Sequence, residues 1–378
     1  MKEIGIYIHI PFCIQKCYYC DFISYTNKFD IINKYVESLK KEIKLSNLKE
    51  KNIIKTIYIG GGTPSSINAK YIKEILEVIK EKFLVDSYAE ITIEVNPGTV
   101  TKEKLEIYKE AGINRLSIGM QSNNDLILKK IGRIHNYKMF EESFLLAKNV
   151  GFQNINIDMM IGLPLQTQKD IKEMIFIAEK LDPEHISIYS LILEEGTKLN
   201  ELVEEKKASL PEEETERNMY WTLKQELEKR GYKHYEISNF AKAGYESKHN
   251  MDCWNQNEYL GFGIAAHSYY GSKRYSNIQN LEKYIQNIEN NNIEKNRILQ
   301  ELQTENDKQK EYMMLGLRKI DGVIISKFKD KFNKNPIIVF EKELRKLESE
   351  ELIEITEDNI KLTDKGIDFA NIVWQEFV

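Results

Sequence analysis

With 378 residues, the chain is too long for one ordinary small domain and suits two or three domains, or one large α/β barrel with an appendage. Apolar residues make up 42% and charged residues 30%, a globular balance, and the net charge of −5 gives no bulk attraction toward nucleic acid or an anionic membrane. The first residues, Met1-Lys2-Glu3-Ile4-Gly5-Ile6-Tyr7, enter an apolar alternation without a signal peptide's layout, and no apolar run is long enough to span a membrane, so a cytoplasmic location is expected.

In chain order, strands are predicted over 6–10, 54–59, 90–95, 115–120, 154–160 and 185–190. These are short runs, alternating or nearly continuously apolar, bounded by Gly, Pro or Asn. Amphipathic stretches lie between them at 30–44, 69–82, 102–111, 137–150 and 169–181. In the first, Ile31, Ile32, Tyr35, Val36 and Leu39 recur at helical spacing. Repeated strand-then-helix units predict a parallel sheet with helices outside. The expected fold class is α/β, a partial (β/α)6 TIM-like barrel over residues 1–210. A barrel extension is expected over 211–295: a helix at 212–230, a strand at 232–238, then a loop rich in Asn, Gly and Tyr to about Asn277. The polar stretch 281–305 reads as a solvated helix or linker. Over 296–378, helices at 311–317, 324–328 and 340–347, a hairpin at 352–356 and 359–362, and a helix at 364–376 predict a small winged-helix-like α+β cap. Such folds bind nucleic acid or serve as plain caps; the acidic charge and the lack of a clear basic patch favour the cap.

Cys13, Cys17 and Cys20 form C-x3-C-x2-C and are three of the chain's four cysteines. They follow the first strand at once, which puts them on a loop at the strands' C-terminal face, where barrel enzymes place their sites. Thiolates suit zinc and iron–sulfur clusters. A structural zinc needs a fourth ligand, Cys253 or a histidine. A four-iron cluster on three thiolates leaves one iron open to a substrate. Further candidates stand at successive strand ends. Gly61, Gly62 and Thr63 end the second strand in "IGGGTPS", Glu94 the third in "IEVNPGT", and Gln121 the fourth in "LSIGMQS". Arg133 follows in "IGRIH", and Asp158 lies on the fifth in "NINIDMMIGLP". Each alone is an ordinary turn residue, surface arginine or strand-end acid; together they suit one ligand bound across a barrel mouth. His9 is expected to order the cysteine loop, and His267 to cap a glycine-rich turn.

With an aromatic residue, Tyr19, before its last cysteine, the triplet resembles the radical S-adenosylmethionine superfamily. That resemblance implies a [4Fe-4S] cluster held by Cys13, Cys17 and Cys20. It implies S-adenosylmethionine bound on the unique iron and contacted by Tyr7, Gly61, Gly62, Thr63, Glu94, Gln121, Arg133 and Asp158. It also implies reductive cleavage to a 5′-deoxyadenosyl radical. "YIHIPFC", "IGGGTPS", "EVNPGT", "RLSIGMQS", "IGRIH", "DMMIGLPLQT" and "EYLGFGIAAHSY" together resemble the group that holds oxygen-independent coproporphyrinogen III oxidase and the HemW-type heme chaperones. The oxidase branch carries a further cysteine, C-x2-C-x-C, where this chain has Cys20-Asp21-Phe22, and an extension before the first strand, which here begins at once. Both features resemble the chaperone branch. That branch implies heme as cargo, a heme-accepting respiratory protein as partner, membrane association only through that acceptor, and no nucleic acid. Its H-N-x-x-Y-W motif reads His249-Asn250-Met251-Asp252-Cys253-Trp254 here, which makes His249 the heme-binding candidate and puts Cys253 where tyrosine is usual. The oxidase, a radical decarboxylase of coproporphyrinogen III, is the alternative, and a nucleic-acid-directed radical enzyme a distant third.

Overall fold

The protein is described from a computed structural model covering residues 1–46 and 52–378. Six strands lie side by side in parallel: β1 (Lys2–Ile10), β2 (Asn52–Gly61), β3 (Leu84–Val95), β4 (Arg115–Gln121), β5 (Ile155–Ile161) and β6 (His185–Ser190). Each coincides with a predicted strand, β5 being shifted by one residue from 154–160. Alternation explains their two faces. Ile4, Ile6, Ile8 and Ile10 of β1 are buried in the main apolar core beneath the helices, while Gly5, Tyr7 and His9 point to the barrel interior.

The helices begin where a side chain can satisfy free backbone N–H groups. Asn68, Thr101, Asn124 and Asn136 cap α2 (Ala69–Lys82), α3 (Lys102–Glu110), α4 (Asp125–Lys130) and α5 (Tyr137–Val150). Thr167 and Asp170 form a reciprocal capping box on α6 (Gln168–Leu181). α1 (Ile32–Leu45) has no side-chain cap and is held by its buried face of Tyr35, Val36, Leu39 and Ile43.

The sheet runs further than its parallel core. β7 (Lys233–Glu236) and β8 (Asn239–Ala241) follow α7 (Lys198–Glu204) and α8 (Glu213–Lys229) and add antiparallel strands beyond β6. On the other side β9 (Tyr259–Phe262) pairs in parallel with β1, followed by antiparallel β10 (His267–Tyr270), β11 (Lys273–Asn277) and β12 (Arg297–Leu302). The result is one 12-stranded sheet whose end strands, β7 and β12, do not pair among the described residues: a partial barrel.

Two expectations are corrected. The stretch read as a loop to Asn277 holds α9 (Lys248–Trp254) and four strands, β8 to β11. Its glycines and tyrosines hide the alternation, and the partner of β9 is β1, some 250 residues away. The stretch 281–305 is neither linker nor solvated helix. Its helix Leu281–Glu289 buries Leu281, Tyr284, Ile285 and Ile288, and β12 then completes the sheet edge.

The C-terminal part has its own core, including Phe328, Leu344, Leu347, Ile360 and Val373, and a three-stranded sheet of β13 (Val323–Ile324), β14 (Ile353–Ile355) and β15 (Asn359–Leu362). Helices plus this small sheet form the winged-helix-like cap. It touches both flanks of the open barrel: the backbone of Lys319 forms an antiparallel β-bridge with Glu236 of β7, and Glu311 pairs with Arg274 of β11. The expected helix at 364–376 is two short helices, Asp364–Asp368 and Ala370–Gln375, interrupted at Phe369.

Candidate cofactor site at the barrel mouth

The loop after β1 is tied to the barrel at several points. Cys13 N–H donates to the Tyr25 carbonyl (3.0 Å), Tyr18 N–H to that of Ile131 (2.9 Å), and the Gln15 amide to that of Gly132 (2.8 Å). The glycine turn ending β2 runs alongside: Gly62 N–H donates to Ile10 (2.9 Å) and Thr63 N–H to Phe12 (2.8 Å). A Cβ on Gly62 would lie 2.9 Å from the Ile10 carbonyl and the Phe12 nitrogen, so only glycine permits this approach. His9 orders the loop as expected. Its Nε2 donates to the Ile23 carbonyl (2.9 Å), leaving Nδ1 to accept from the Tyr7 hydroxyl (3.1 Å). Burial pushes the His9 imidazole down to about 4, so it is neutral, as this arrangement requires.

The loop roofs one side of a cavity of about 380 Å³. Cys13, Cys17 and Cys20 line it, together with Gly61, Gly62, Thr63, Glu94, Gln121, Arg133 and Asp158. Of the predicted mouth residues only Tyr7 does not line it; Tyr7 lies deeper, against His9 and Tyr58. Burial raises the thiols of Cys13 and Cys20, the latter to about 11.

The inner wall is acidic. Glu94 accepts from the Tyr58 hydroxyl (3.0 Å) and from Gly61 N–H (3.1 Å). Its carboxylate occupies the space left by Gly60, where a Cβ would come within 2.9 Å of Oε1. Asp158 accepts from Asn156 (2.7 Å) and Ser117 (3.1 Å). Burial, then the nearby Asp158 charge, pushes Glu94 up to about 7; burial also raises Asp158. On the opposite side Arg133 Nη1 donates to Asn96 Oδ1 (2.9 Å), Asn96 Nδ2 to Thr63 Oγ1 (2.8 Å), and Thr63 Oγ1 to Cys13 Sγ (3.4 Å). Gln121 reaches the cavity from a register shift between β4 and β5, with a left-handed φ of 60°.

Sequence reasoning missed Tyr58, Asn96, Ser117 and Gly60. Asn96 stands inside the quoted "EVNPGT" and was legible as a strand-end polar group. Tyr58 and Gly60 act through Glu94, whose position depends on a neighbouring strand.

The elevated Glu94 carries a pH prediction. A carboxyl raised above its ordinary value contributes stability that is complete below about pH 4.5 and is lost as pH rises through about 7. Thermal melting of the metal-free protein is expected to fall over that window, and Glu94→Gln to flatten part of the fall. A variant whose melting profile runs parallel to the wild type would show that Glu94 ionises normally.

The other candidate, His249, lies elsewhere. It sits on α9 at the opposite end of the barrel, where Glu90 accepts the backbone N–H groups of Lys248 and His249 (3.1 Å each). Its Nδ1 bonds Thr56 Oγ1 (2.9 Å), its ring stacks on Tyr58, and it is 7% exposed. Burial, then the Arg115 charge, lowers it to about 4. At that exposure the imidazole is closed to a bulky ligand in this conformation. Cys253, on the same helix, does not line the cavity; burial pushes its thiol up to about 12. It is therefore not placed to complete a zinc site with the loop cysteines. His267, expected as a turn cap, starts β10 opposite Ser276.

The mouth fits an iron–sulfur cluster with a cationic sulfonium ligand. Three thiols face a cavity whose far wall holds two half-buried carboxylates, and the Arg133 side chain lines it as well. A cation beside Glu94 and Asp158 would offset their desolvation, and a carboxylate would satisfy Arg133.

Residues 7–178 match the radical SAM superfamily, and residues 303–369 match the HemN C-terminal domain. The chain is 40% identical over 374 residues to the heme chaperone HemW of Bacillus subtilis, covering 98% of both chains. It is 36% identical over 377 residues to the heme chaperone HemW of Lactococcus lactis, covering 100% of this chain and 98% of that one. Among solved structures, coproporphyrinogen III oxidase (HemN) of Escherichia coli, a radical SAM enzyme, superposes with a TM-score of 0.84 at 22% identity, over 100% of this chain and 90% of that one; this likeness shows the shared fold. By sequence along its whole length, and by the radical SAM fold that carries the cysteine loop, the chain belongs to the HemW heme-chaperone family of the radical SAM superfamily.

Proposed function

We propose that the protein is a heme chaperone that holds a [4Fe-4S] cluster and S-adenosylmethionine at the barrel mouth and passes heme to an acceptor protein. The observation that carries the cofactor assignment is the cavity shared by Cys13, Cys17 and Cys20 with Glu94 and Asp158. The chaperone assignment is supported by 40% identity to a heme chaperone over 98% of both chains. Phe22, where the oxidase branch has a further cysteine, lines the same cavity and is 62% exposed. The acceptor is proposed to be a respiratory protein and the location cytoplasmic, with membrane association only through that acceptor. No helix among the described residues is long and apolar enough to cross a membrane.

A cluster held by Cys13, Cys17 and Cys20 would supply the single electron that splits a bound sulfonium into methionine and a 5′-deoxyadenosyl radical. The chain's own residues bind and orient. The three cysteines would ligate iron; Gly61, Gly62 and Thr63 keep the backbone low enough for a ligand to lie against it. Glu94 and Asp158 face the cationic end. Arg133, held by Asn96, lines the cavity as the cation available to an anionic group. Gly60→Ala is expected to displace the Glu94 carboxylate and weaken S-adenosylmethionine binding about tenfold, the loss of one charge-assisted contact. Equilibrium dialysis against the cluster-loaded protein measures it, and unchanged affinity would remove Glu94 from the site.

Anaerobic reconstitution followed by two assays tests the function. Stoichiometric heme binding without conversion of coproporphyrinogen III is expected. Robust formation of protoporphyrinogen IX would establish the oxidase instead. His249 serves as heme ligand, under this proposal, in a state where α9 has left the floor.

A further inference from the structure

We propose that His249, in the seated state of α9, is a positioning residue for the S-adenosylmethionine site at the other end of the barrel, acting through Tyr58 on Glu94. This rests on the cofactor assignment above and extends it to a residue that touches neither cluster nor cofactor.

The connection is a short series of side-chain contacts within the barrel interior. His249 is fastened on two sides. Its backbone N–H and that of Lys248 are held by the Glu90 carboxylate, and its Nδ1 by Thr56, which is fully buried. Gly5, beside it on β1, leaves room for the Thr56 hydroxyl that holds the ring: a Cβ there would stand 2.9 Å from Thr56 Oγ1. The fixed ring forms one face of a sandwich. Tyr58 stacks on His249 with centroids 5.3 Å apart and planes 28° apart, and Tyr7 lies on Tyr58 at 6.3 Å and 22°. The outcome at the upper end is one hydrogen bond. The Tyr58 hydroxyl donates to Glu94 Oε1 at 3.0 Å, and Gly61 N–H holds the other oxygen.

Glu94 has no cationic partner among its hydrogen-bond contacts, and the neighbouring Asp158 repels it. Two neutral donors therefore set its orientation. One is backbone and cannot move without the glycine turn. The other is a phenol on a long side chain, whose ring position depends on the aromatic faces packed against it. Removing the imidazole leaves a cavity under Tyr58 into which that ring can tilt, and a tilt at the ring carries the hydroxyl away from Oε1. The floor helix thus sets the alignment of the acidic wall. Any event that withdraws His249 from the floor is expected to weaken the grip on the sulfonium ligand.

The test measures S-adenosylmethionine dissociation constants by equilibrium dialysis on cluster-loaded full-length protein. Tyr58→Phe, which keeps the stack and deletes the hydroxyl, is expected to weaken binding about tenfold. His249→Leu is expected to weaken it similarly. His249→Phe, which restores an aromatic face without Nδ1, is expected to recover most of the loss. The Tyr58→Phe/His249→Leu double variant is expected to bind no more weakly than Tyr58→Phe alone, since both act through one hydrogen bond. Cys253→Ser, on the same helix but outside the stack, controls for general loosening and is expected to leave affinity unchanged. A crystal structure of cluster-free His249→Leu should show Tyr58 Oη withdrawn from Glu94, a readout independent of any bound cofactor. Additive losses, an unrescued His249→Phe, or a His249→Leu protein with wild-type affinity would each overturn the proposal. If His249→Leu does not fold, His249→Phe against Tyr58→Phe still decides it: a tenfold loss in His249→Phe refutes the role of the aromatic face, and wild-type affinity supports it. Failure of the wild-type protein itself to bind S-adenosylmethionine would instead remove the cofactor assignment.

Discussion

Cys17→Ser is expected to leave a folded protein that cannot hold the cluster. Cys17 is half-buried on a loop whose backbone is secured by other residues, through Cys13 N–H, Tyr18 N–H, the Gln15 amide and His9. Serine keeps the size of the side chain and removes the soft thiolate that iron–sulfur chemistry requires. Two thiols then remain for a cluster that three would hold. Anaerobic reconstitution should give only a small fraction of the wild-type iron–sulfur absorbance, with a melting temperature of the metal-free protein close to wild type. Full absorbance would mean that the ligand set is misassigned. A collapsed melting temperature would mean that the loop needs Cys17 for packing.

Gly61→Val is expected to be the most damaging single change at the mouth, and for the opposite reason: it removes no ligand. Gly61 has φ of 109°, a left-handed conformation that a β-branched residue does not adopt without strain. A Cβ there would also stand 2.5 Å from the His9 ring. His9 cannot retreat, because its two nitrogens are engaged by Ile23 and Tyr7. Backbone strain and overpacking together put the cost at about 3 kcal/mol or more. The variant should melt well below wild type and also lose cluster, since His9 is what fastens Ile23 beneath the cysteines. A protein that melts like wild type would show that the turn can rearrange, and that Gly61 is present only for ligand approach.

The difference between these variants illustrates what kinds of information the chain carries locally. The cysteine triplet is legible because its chemistry lies in spacing along a single loop. Any fold that puts that loop at an open face yields the same donor set. The six parallel strands are legible because each buries an apolar face, and alternation writes that requirement into consecutive residues. Glu94 and Gln121 are legible because each stands at the end of a strand, and Asp158 because it lies on the next strand in a run of parallel strands whose C-terminal ends converge.

β9 is different. Its four residues, Tyr259–Phe262, carry too short a pattern, and its status as a strand depends on the free edge of β1. The helix Leu281–Glu289 is a different case: Leu281, Tyr284, Ile285 and Ile288 recur at helical spacing, a legible buried face that the polar Asn/Glu-rich surroundings obscured. What holds for β9 holds for Tyr58, which in sequence is one aromatic residue in a strand. Its function as a donor to Glu94 requires β3 beside it and α9 below it.

The chain by itself determined the chemistry available: three soft ligands on one loop, a glycine turn next to them, and acids at strand ends. These are properties of residue type and short-range spacing, which survive any choice of long-range partners. Only the tertiary structure decided how those groups are held and which candidates stand apart from them. It put Arg133, Asn96, Thr63 and Cys13 in one hydrogen-bonded series, and it placed His249 under Tyr58 at the barrel floor, away from the cysteines. The physical reason is separation along the chain. His249 meets Thr56 across 193 residues, and no local pattern encodes a contact that exists only once the sheet has curved and α9 has closed its lower end.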